Sequence, residues 1–560
     1  MRRRRSAALL TLLAALSLVA AACGNNGGGD GKATTTTEGA KAVKGGTLVL
    51  GAEQEPDCAD WISSCAGASW GTYTMGAQTM PRAFDLTPDA KTVPSSLLAG
   101  EPKLESGPPQ KITYKINPKA VWSDGQPITS SDFKYTWDQI KNGSDIYDKT
   151  GYKDIASVDD SDPKTVVVTF TTPYAGWHDL FGGFYGVYPK HLLEGKDRNA
   201  EMKDGYKWSG GPWMIDHWTK GQEVALIPNP NYWGSKPNLD KAVFKFITDT
   251  AAESQAYKTG QIAMFYPQAQ LELTQLFTLP NTKHDVNTSL SYEALWFNTA
   301  KDPLTDANVR QALAYATDRD AIVNSLFGPV QPGIKAINGF MTPGNKQWYT
   351  SEPFKKYKKD LTKVDELMKA AGYTKGADGM WAKGGKPATL AISTTAGNKR
   401  RELTEQLLQS QWKEAGFNLT TNNTKAGTLF GEWGPQGVFQ IALYAQVPPS
   451  TDPGICSTFC SENIPTTANP SGQNWTRLAS PAIDTPWKQV DKELDETKRK
   501  DLVEQGQKSL ADALPGLPID PFPDVLIYNS AKLNGPIGHN FAFGPFVNMN
   551  LWWCTGGNCG

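Results

Sequence analysis

Seven cysteines and five histidines are the residues of this 560-residue chain best suited to redox, metal or covalent chemistry. Six of the cysteines fall into three sequence-local pairs, Cys58/Cys65, Cys456/Cys460 and Cys554/Cys559, while Cys23 stands alone. Zinc or thiol redox chemistry needs ligands at coordinating spacing, and the chain has neither a Cys-x-x-Cys nor a His-x-x-x-His pair. No metal and no cofactor are therefore expected. A glycosidase needs two carboxylates about 5–10 Å apart, and nothing in the sequence singles out such a pair. No hydrolase nucleophile turn is expected either, and His-Glu-x-x-His is absent. The chain reads as a binder and not an enzyme.

The lone cysteine has its own context. Residues 1–22 carry Arg2 to Arg5, an apolar run from Ala7 to Val19, and Ala20, Ala21 and Ala22 directly before Cys23. This is the pattern of a secretory signal peptide, too short and too one-sidedly basic for an ordinary membrane span. A cysteine after small residues resembles a bacterial lipobox, with Ala20 where a leucine is usual. Cys23 is thus the expected lipidation site. Residues 23–46 are rich in Gly, Asn, Thr and Lys and too polar to bury a core, so they read as a flexible tether. The implied location is outside the cell, lipid-anchored to the outer face of the cytoplasmic membrane. An oxidising exterior permits disulfides. Local pairing is the simplest of the connectivities that six cysteines allow.

Composition narrows the partners. With 56 basic and 57 acidic residues the net charge is −1, which disfavours a nucleic-acid partner. A hydrophobic content of 39% over this length supports a large or two-lobed body. Eighteen tryptophans suit either cores or ligand clefts. Strand-like runs occur at Thr47–Ala52, Lys111–Asn117, Thr165–Phe170, Glu223–Pro228, Ala242–Ile247 and Thr389–Thr394. Helical periodicity marks Phe133/Trp137/Ile140, Leu361 to Ala371, Leu403 to Trp412, and a charged helix from about Pro486 to Ala513. Strands and helices mix without a strict repeat, which predicts an α/β fold with mixed sheets.

Several segments, in order, carry a family resemblance. They are Gly45-Gly46-Thr47-Leu48-Val49-Leu50 with Glu53-Gln54-Glu55-Pro56; Trp122-Ser123-Asp124-Gly125-Gln126-Pro127-Ile128-Thr129 leading to Asp132-Phe133; Gly210-Gly211-Pro212-Trp213; Asn229-Pro230-Asn231-Tyr232-Trp233-Gly234 leading to Leu239-Asp240; and Val309-Arg310-Gln311-Ala312-Leu313 leading to Asp318-Arg319. Together they resemble the dipeptide/oligopeptide-binding lipoproteins of ABC transporters, solute-binding protein family 5. Each motif also has a scaffold role: Asp124-Gly125 makes a turn, Thr129 to Ser131 cap a helix, and Arg310 and Arg319 suit structural ion pairs.

The resemblance implies a two-lobed periplasmic-binding-protein fold of type II, cluster C, with mixed sheets and a two-strand hinge. Lobe one is expected at 47–295 with 526–560 returning to it, and lobe two at 296–525. It implies a monomer that captures short peptides between the lobes and delivers them to an ABC permease in the membrane. A non-peptide solute such as an oligosaccharide, metal chelate or haem is the alternative, and a secreted hydrolase a more distant one. Position in the family's pattern nominates Glu55, Tyr266, Trp296, Asn298, Trp433, Tyr444, Gln446 and Asp452 as ligand-binding. Departures occur at Gly260-Gln261-Ile262-Ala263, which lacks the usual acids, and at Tyr444 to Pro453, which lacks the Asp that holds a peptide amino terminus in relatives. Ligand choice is expected to reside in segment 444–476, rich in Pro, Ser, Thr and Asn.

Overall fold

A computed structural model describes residues 42–559 apart from 64, 66–68, 88–89, 184, 449, 471 and 541–542. The export signal, Cys23 and the tether up to residue 41 lie outside the described residues.

One ten-stranded mixed sheet organises the chain. Its strands are β1 (Thr47–Ala52), β2 (Trp213–Thr219), β3 (Glu223–Pro228), β4 (Lys241–Phe246), β5 (Met264–Phe265), β6 (Thr282–Phe297), β7 (Thr389–Ser393), β8 (Asn418–Thr421), β9 (Ile441–Gln446) and β10 (Gly516–Asn529). The spatial order is β8-β7-β9-β6-β10-β5-β1-β4-β3-β2. A separate four-stranded sheet holds Lys103–Glu105, Lys111–Lys115, Thr165–Phe170 and Ile155–Asp162. All six strand-like runs form strands, because β-branched residues alternating with polar ones fit a pleated, half-buried surface.

Two hydrophobic cores share the large sheet. The first gathers residues from 48–264 with Leu526, Leu533 and the stretch 546–559. The second gathers residues from 256–527. The long strands β6 and β10 run antiparallel at the centre; β6 contributes to the second core and β10 to both. Their ladder is irregular between Thr288 and Tyr292 and between Glu293 and Ala294. Pro518, Pro521 and Pro523 of β10 stand opposite these positions. Proline has no N–H to offer a ladder, so the register slips where prolines crowd. The Ser289 hydroxyl donates to the Phe522 carbonyl at 2.9 Å and satisfies one group the ladder misses.

The helix Ser130–Asn142 starts at Thr129, which forms a reciprocal capping box with Asp132. The charged helix expected at 486–513 is two helices, Pro481–Val490 and Glu496–Ala513. Asp495 caps the second by accepting from the Lys498 amide. Seven tryptophans, including Trp296, are less than 2% exposed, so much of the tryptophan content is core. Arg310 and Arg319 serve the scaffold, but not as ion pairs. Arg310 donates to the carbonyls of Leu304, Ala513 and Leu514. Arg319 donates to those of Ile337, Pro518 and Phe354. Disulfides join Cys58–Cys65, Cys456–Cys460 and Cys554–Cys559. Among the described residues no helix is long and apolar enough to cross a membrane.

Candidate ligand site between the two cores

The first core offers a wall of acids and rings. Glu53 follows directly after β1 and accepts from the Gln268 amide at 2.9 Å. Trp70 and Tyr73 stand on the short helical segments Ser69–Gly71 and Thr72–Gly76. Tyr266 follows β5, with ring centroids 6.2 Å from Trp70, 5.9 Å from Tyr73 and 6.3 Å from Phe546. Its hydroxyl hydrogen-bonds Asp524 of β10, and His539 Nε2 lies 3.2 Å from Asp524 Oδ2. Burial raises the Glu53 carboxyl above its ordinary range and pushes Asp524 up to about 8. Glu53 and Tyr266 nonetheless keep some solvent-reachable surface.

The second core carries its own group of rings on β9 and its neighbours. Tyr444 stacks on Trp296 at 4.9 Å, meets Phe430 edge-on at 5.6 Å and lies 5.7 Å from Trp475. The Trp296 indole donates to the Tyr444 carbonyl at 3.1 Å. The half-buried Gln446 ends β9 opposite Tyr292 of β6, and its side-chain amide has no hydrogen-bond partner recorded among the described residues. Trp433, also half-buried, closes the turn Leu429–Trp433.

Other nominated residues are occupied by the scaffold. Glu55 accepts from the Trp218 indole at 2.8 Å and the Gly221 amide at 2.9 Å, which braces a hairpin. Asn298 is buried and donates to the carbonyls of Gly437 and Phe439 at 3.1 and 3.0 Å. Asp452 is held by Arg499 at 2.7 and 2.9 Å and accepts from the Gly454 amide. The structure thus brings Trp296 and Tyr444 into one aromatic cluster and Tyr266 into another, with Trp70, Tyr73 and Phe546. Glu53, Asp524, Trp70 and Tyr73 carry no sequence signal beyond their chemistry. Glu53 differs from Glu55 only in being two residues closer to the strand end.

The strands β6 and β10 also carry a buried charge cluster. Glu293 of β6 pairs with Arg400 and Arg401, each at 2.7 Å, both from the helix Lys399–Glu414. These cations hold its carboxyl below the usual range in spite of burial. Asp520 stands opposite Glu293 in the ladder, and burial pushes it up to about 8. Asn398, which caps the same helix, donates to the Gln268 side chain at 2.7 Å, and the Gln268 backbone amide in turn donates to Glu53.

The sequence does contain one Gly-x-Ser-x-Gly spacing, Gly67-Ala68-Ser69-Trp70-Gly71, against the expectation of none. Among the described contacts its serine hydrogen-bonds Tyr73 and not a histidine, so the spacing stands without the base that would activate a nucleophile. No group of three or more His, Cys, Asp or Glu among the described residues is placed to hold a metal ion.

The family model for bacterial extracellular solute-binding proteins, family 5, matches residues 94–462. The oligopeptide-binding protein OppA of Mycobacterium tuberculosis is 25% identical over 468 residues, covering 81% of this chain and 76% of its own. The periplasmic EDTA-binding protein EppA superposes with a TM-score of 0.83 at 24% identity, over 94% of this chain and 99% of that one. The oligopeptide-binding protein AppA of Bacillus subtilis, solved with a nonapeptide, superposes with a TM-score of 0.81 at 21% identity, over 92% and 100%. The fold is that of two-lobed periplasmic binding proteins.

Proposed function

The chain belongs to family 5 of the bacterial extracellular solute-binding proteins, and from that premise we propose that it captures short peptides between its two lobes and delivers them to an ABC importer. The observation that carries the peptide reading is the acidic, ring-lined wall of Glu53, Asp524, Trp70, Tyr73 and Tyr266. The cations Arg400 and Arg401 are both paired with Glu293, and Arg400 keeps Nε and Nη1 without a hydrogen-bond partner among the described residues. A ligand ammonium would relieve both carboxyls and rest against aromatic faces. Gln446, at the end of β9, is a ready amide donor and acceptor for a peptide main chain.

In this reading lobe one comprises 47–295 with 526–560, lobe two comprises 296–525, and β6 and β10 form the hinge. Ligand contacts from both lobes favour the closed arrangement. The protein works as a monomer, exported by residues 1–22 and held at the outer membrane face by a lipid on Cys23. Transport energy comes from the importer's own ATPases, since this chain has no Gly-x-x-x-x-Gly-Lys-Ser/Thr run. Thermal-shift screening against peptide pools, sugars and metal chelates tests the ligand class. Peptides should raise the melting temperature in proportion to occupancy. Stabilisation by sugars or chelates alone would sink the peptide reading.

A further inference from the structure

The two cores also meet away from the crossing strands. The segment 174–179 of the first core touches the segment 450–499 of the second. Ser450 donates its hydroxyl to Asp179 Oδ2 at 2.7 Å. The Ala175 amide donates to the Asp491 carbonyl at 2.7 Å. A β-carbon at Gly176 would stand 2.8 Å from the Tyr174 hydroxyl in its own segment and 3.3 Å from the carboxyl carbon of Asp452, so a glycine permits the close approach. A β-carbon at Gly454 would stand 2.6 Å from Asp491 Oδ1 and 2.9 Å from Asp452 Oδ1, which places those two acids side by side. The guanidinium among them, Arg499, is already taken by Asp452.

We propose that this junction is a proton-dependent latch, in which the lips close with Asp179 protonated and part when it ionises, whichever solute lies between them. The argument rests on which core supplies each charge. Asp452 and Arg499 both belong to the second core, so their pair stays whole when the lips separate. Asp179 comes from the first core and meets that pair only on closure, with one hydroxyl donor to receive it.

In the closed form burial, then the Asp452 charge, push Asp179 up to about 7, against the pull of Ser450 and Arg499. Apart from the lips it faces water and titrates as an ordinary aspartate. The other groups around it do not supply a free cation. Burial lowers neighbouring His178 to about 4 and leaves it neutral. Tyr174 and Tyr152 are raised and neutral. The Asp491 carboxyl is itself pushed up to about 7. Lys153, at the edge of the junction, is paired with Glu462 at 3.2 Å.

The sign follows. The closed form binds a proton that the open form releases between pH about 4 and about 7. Each pH unit in that window lowers the closed-to-open ratio by up to about tenfold, and the effect levels off above 7.

Small-angle scattering of the full chain from pH 5 to 8.5, without added solute, tests this. The wild type should expand as pH rises toward neutrality. Asp179→Asn, which still accepts the Ser450 hydroxyl, should stay compact up to pH 8.5. Gly176→Val, which sets a branched side chain against both Tyr174 and Asp452, should stay expanded at every pH. A wild type whose radius is constant over the range overturns the latch, and this outcome requires no variant to fold. An Asp179→Asn protein that expands with the wild-type midpoint overturns it as well.

Discussion

At the residue scale the site turns on which acids are free. Glu55, Asp452 and Glu293 are each satisfied by donors of the protein itself, whereas at Glu53 and Asp524 burial outweighs the hydrogen bonds and, at Glu53, the nearby Arg400 charge, and raises both carboxyls. Replacing Glu53 by Gln should therefore weaken peptide binding roughly tenfold to a hundredfold, the worth of a charged hydrogen bond. It should leave the melting temperature of the empty protein unchanged or slightly higher, since a buried charge is removed. Calorimetric titration with a peptide that stabilises the wild type checks both. Arg401→Ala should behave oppositely. It strips one of two guanidinium partners from buried Glu293 and should cost about 3–5 kcal/mol in a urea titration. The sequence distinguishes none of these acids, because whether a carboxyl is satisfied depends on donors far along the chain: 166 residues from Glu55 to Gly221, 108 from Glu293 to Arg401.

At the element scale local chemistry was legible where it is local. The capping box at Thr129 and Asp132 needs four consecutive residues, and the strand Thr47–Ala52 is set by its own β-branched and apolar alternation. Thr129→Ala should cost about 1 kcal/mol, read from the denaturation midpoint. The strand β10 is the counter-example. Its three prolines argue against a central strand, and it pairs regardless because β6 yields in register opposite them. The break near residue 491 inside the expected long helix depends on packing too. The helices Pro481–Val490 and Glu496–Ala513 fold together so closely that a β-carbon at Gly506 would stand 2.5 Å from the Trp487 ring. Gly506→Ala should destabilise by about 1–3 kcal/mol through overpacking, although alanine favours a helix more than glycine does.

At the scale of the whole molecule, buried acids make stability depend on pH. Asp520 and Asp524 lie near 8 when folded, against about 4 unfolded. The folded chain thus binds more protons than the unfolded one across that window. The stabilisation they confer in acid is lost as pH rises through about 8. The melting temperature should fall between pH 6 and pH 8.5, and Asp524→Asn should blunt the fall. Were the melting temperature to rise over that range, the buried acids would not be the dominant titration. What the sequence determined by itself was whatever short stretches encode: the export pattern before Cys23, the scaffold motifs from Gly45 to Arg319, the individual strands and caps, and through the ordered motifs the family. The tertiary structure alone decided which carboxyls burial raises, as at Glu53 and Asp524, and which are held by cations and amides. A charge is neutralised by whatever group the fold brings within about 3 Å, and those groups lie tens to hundreds of residues distant in the chain.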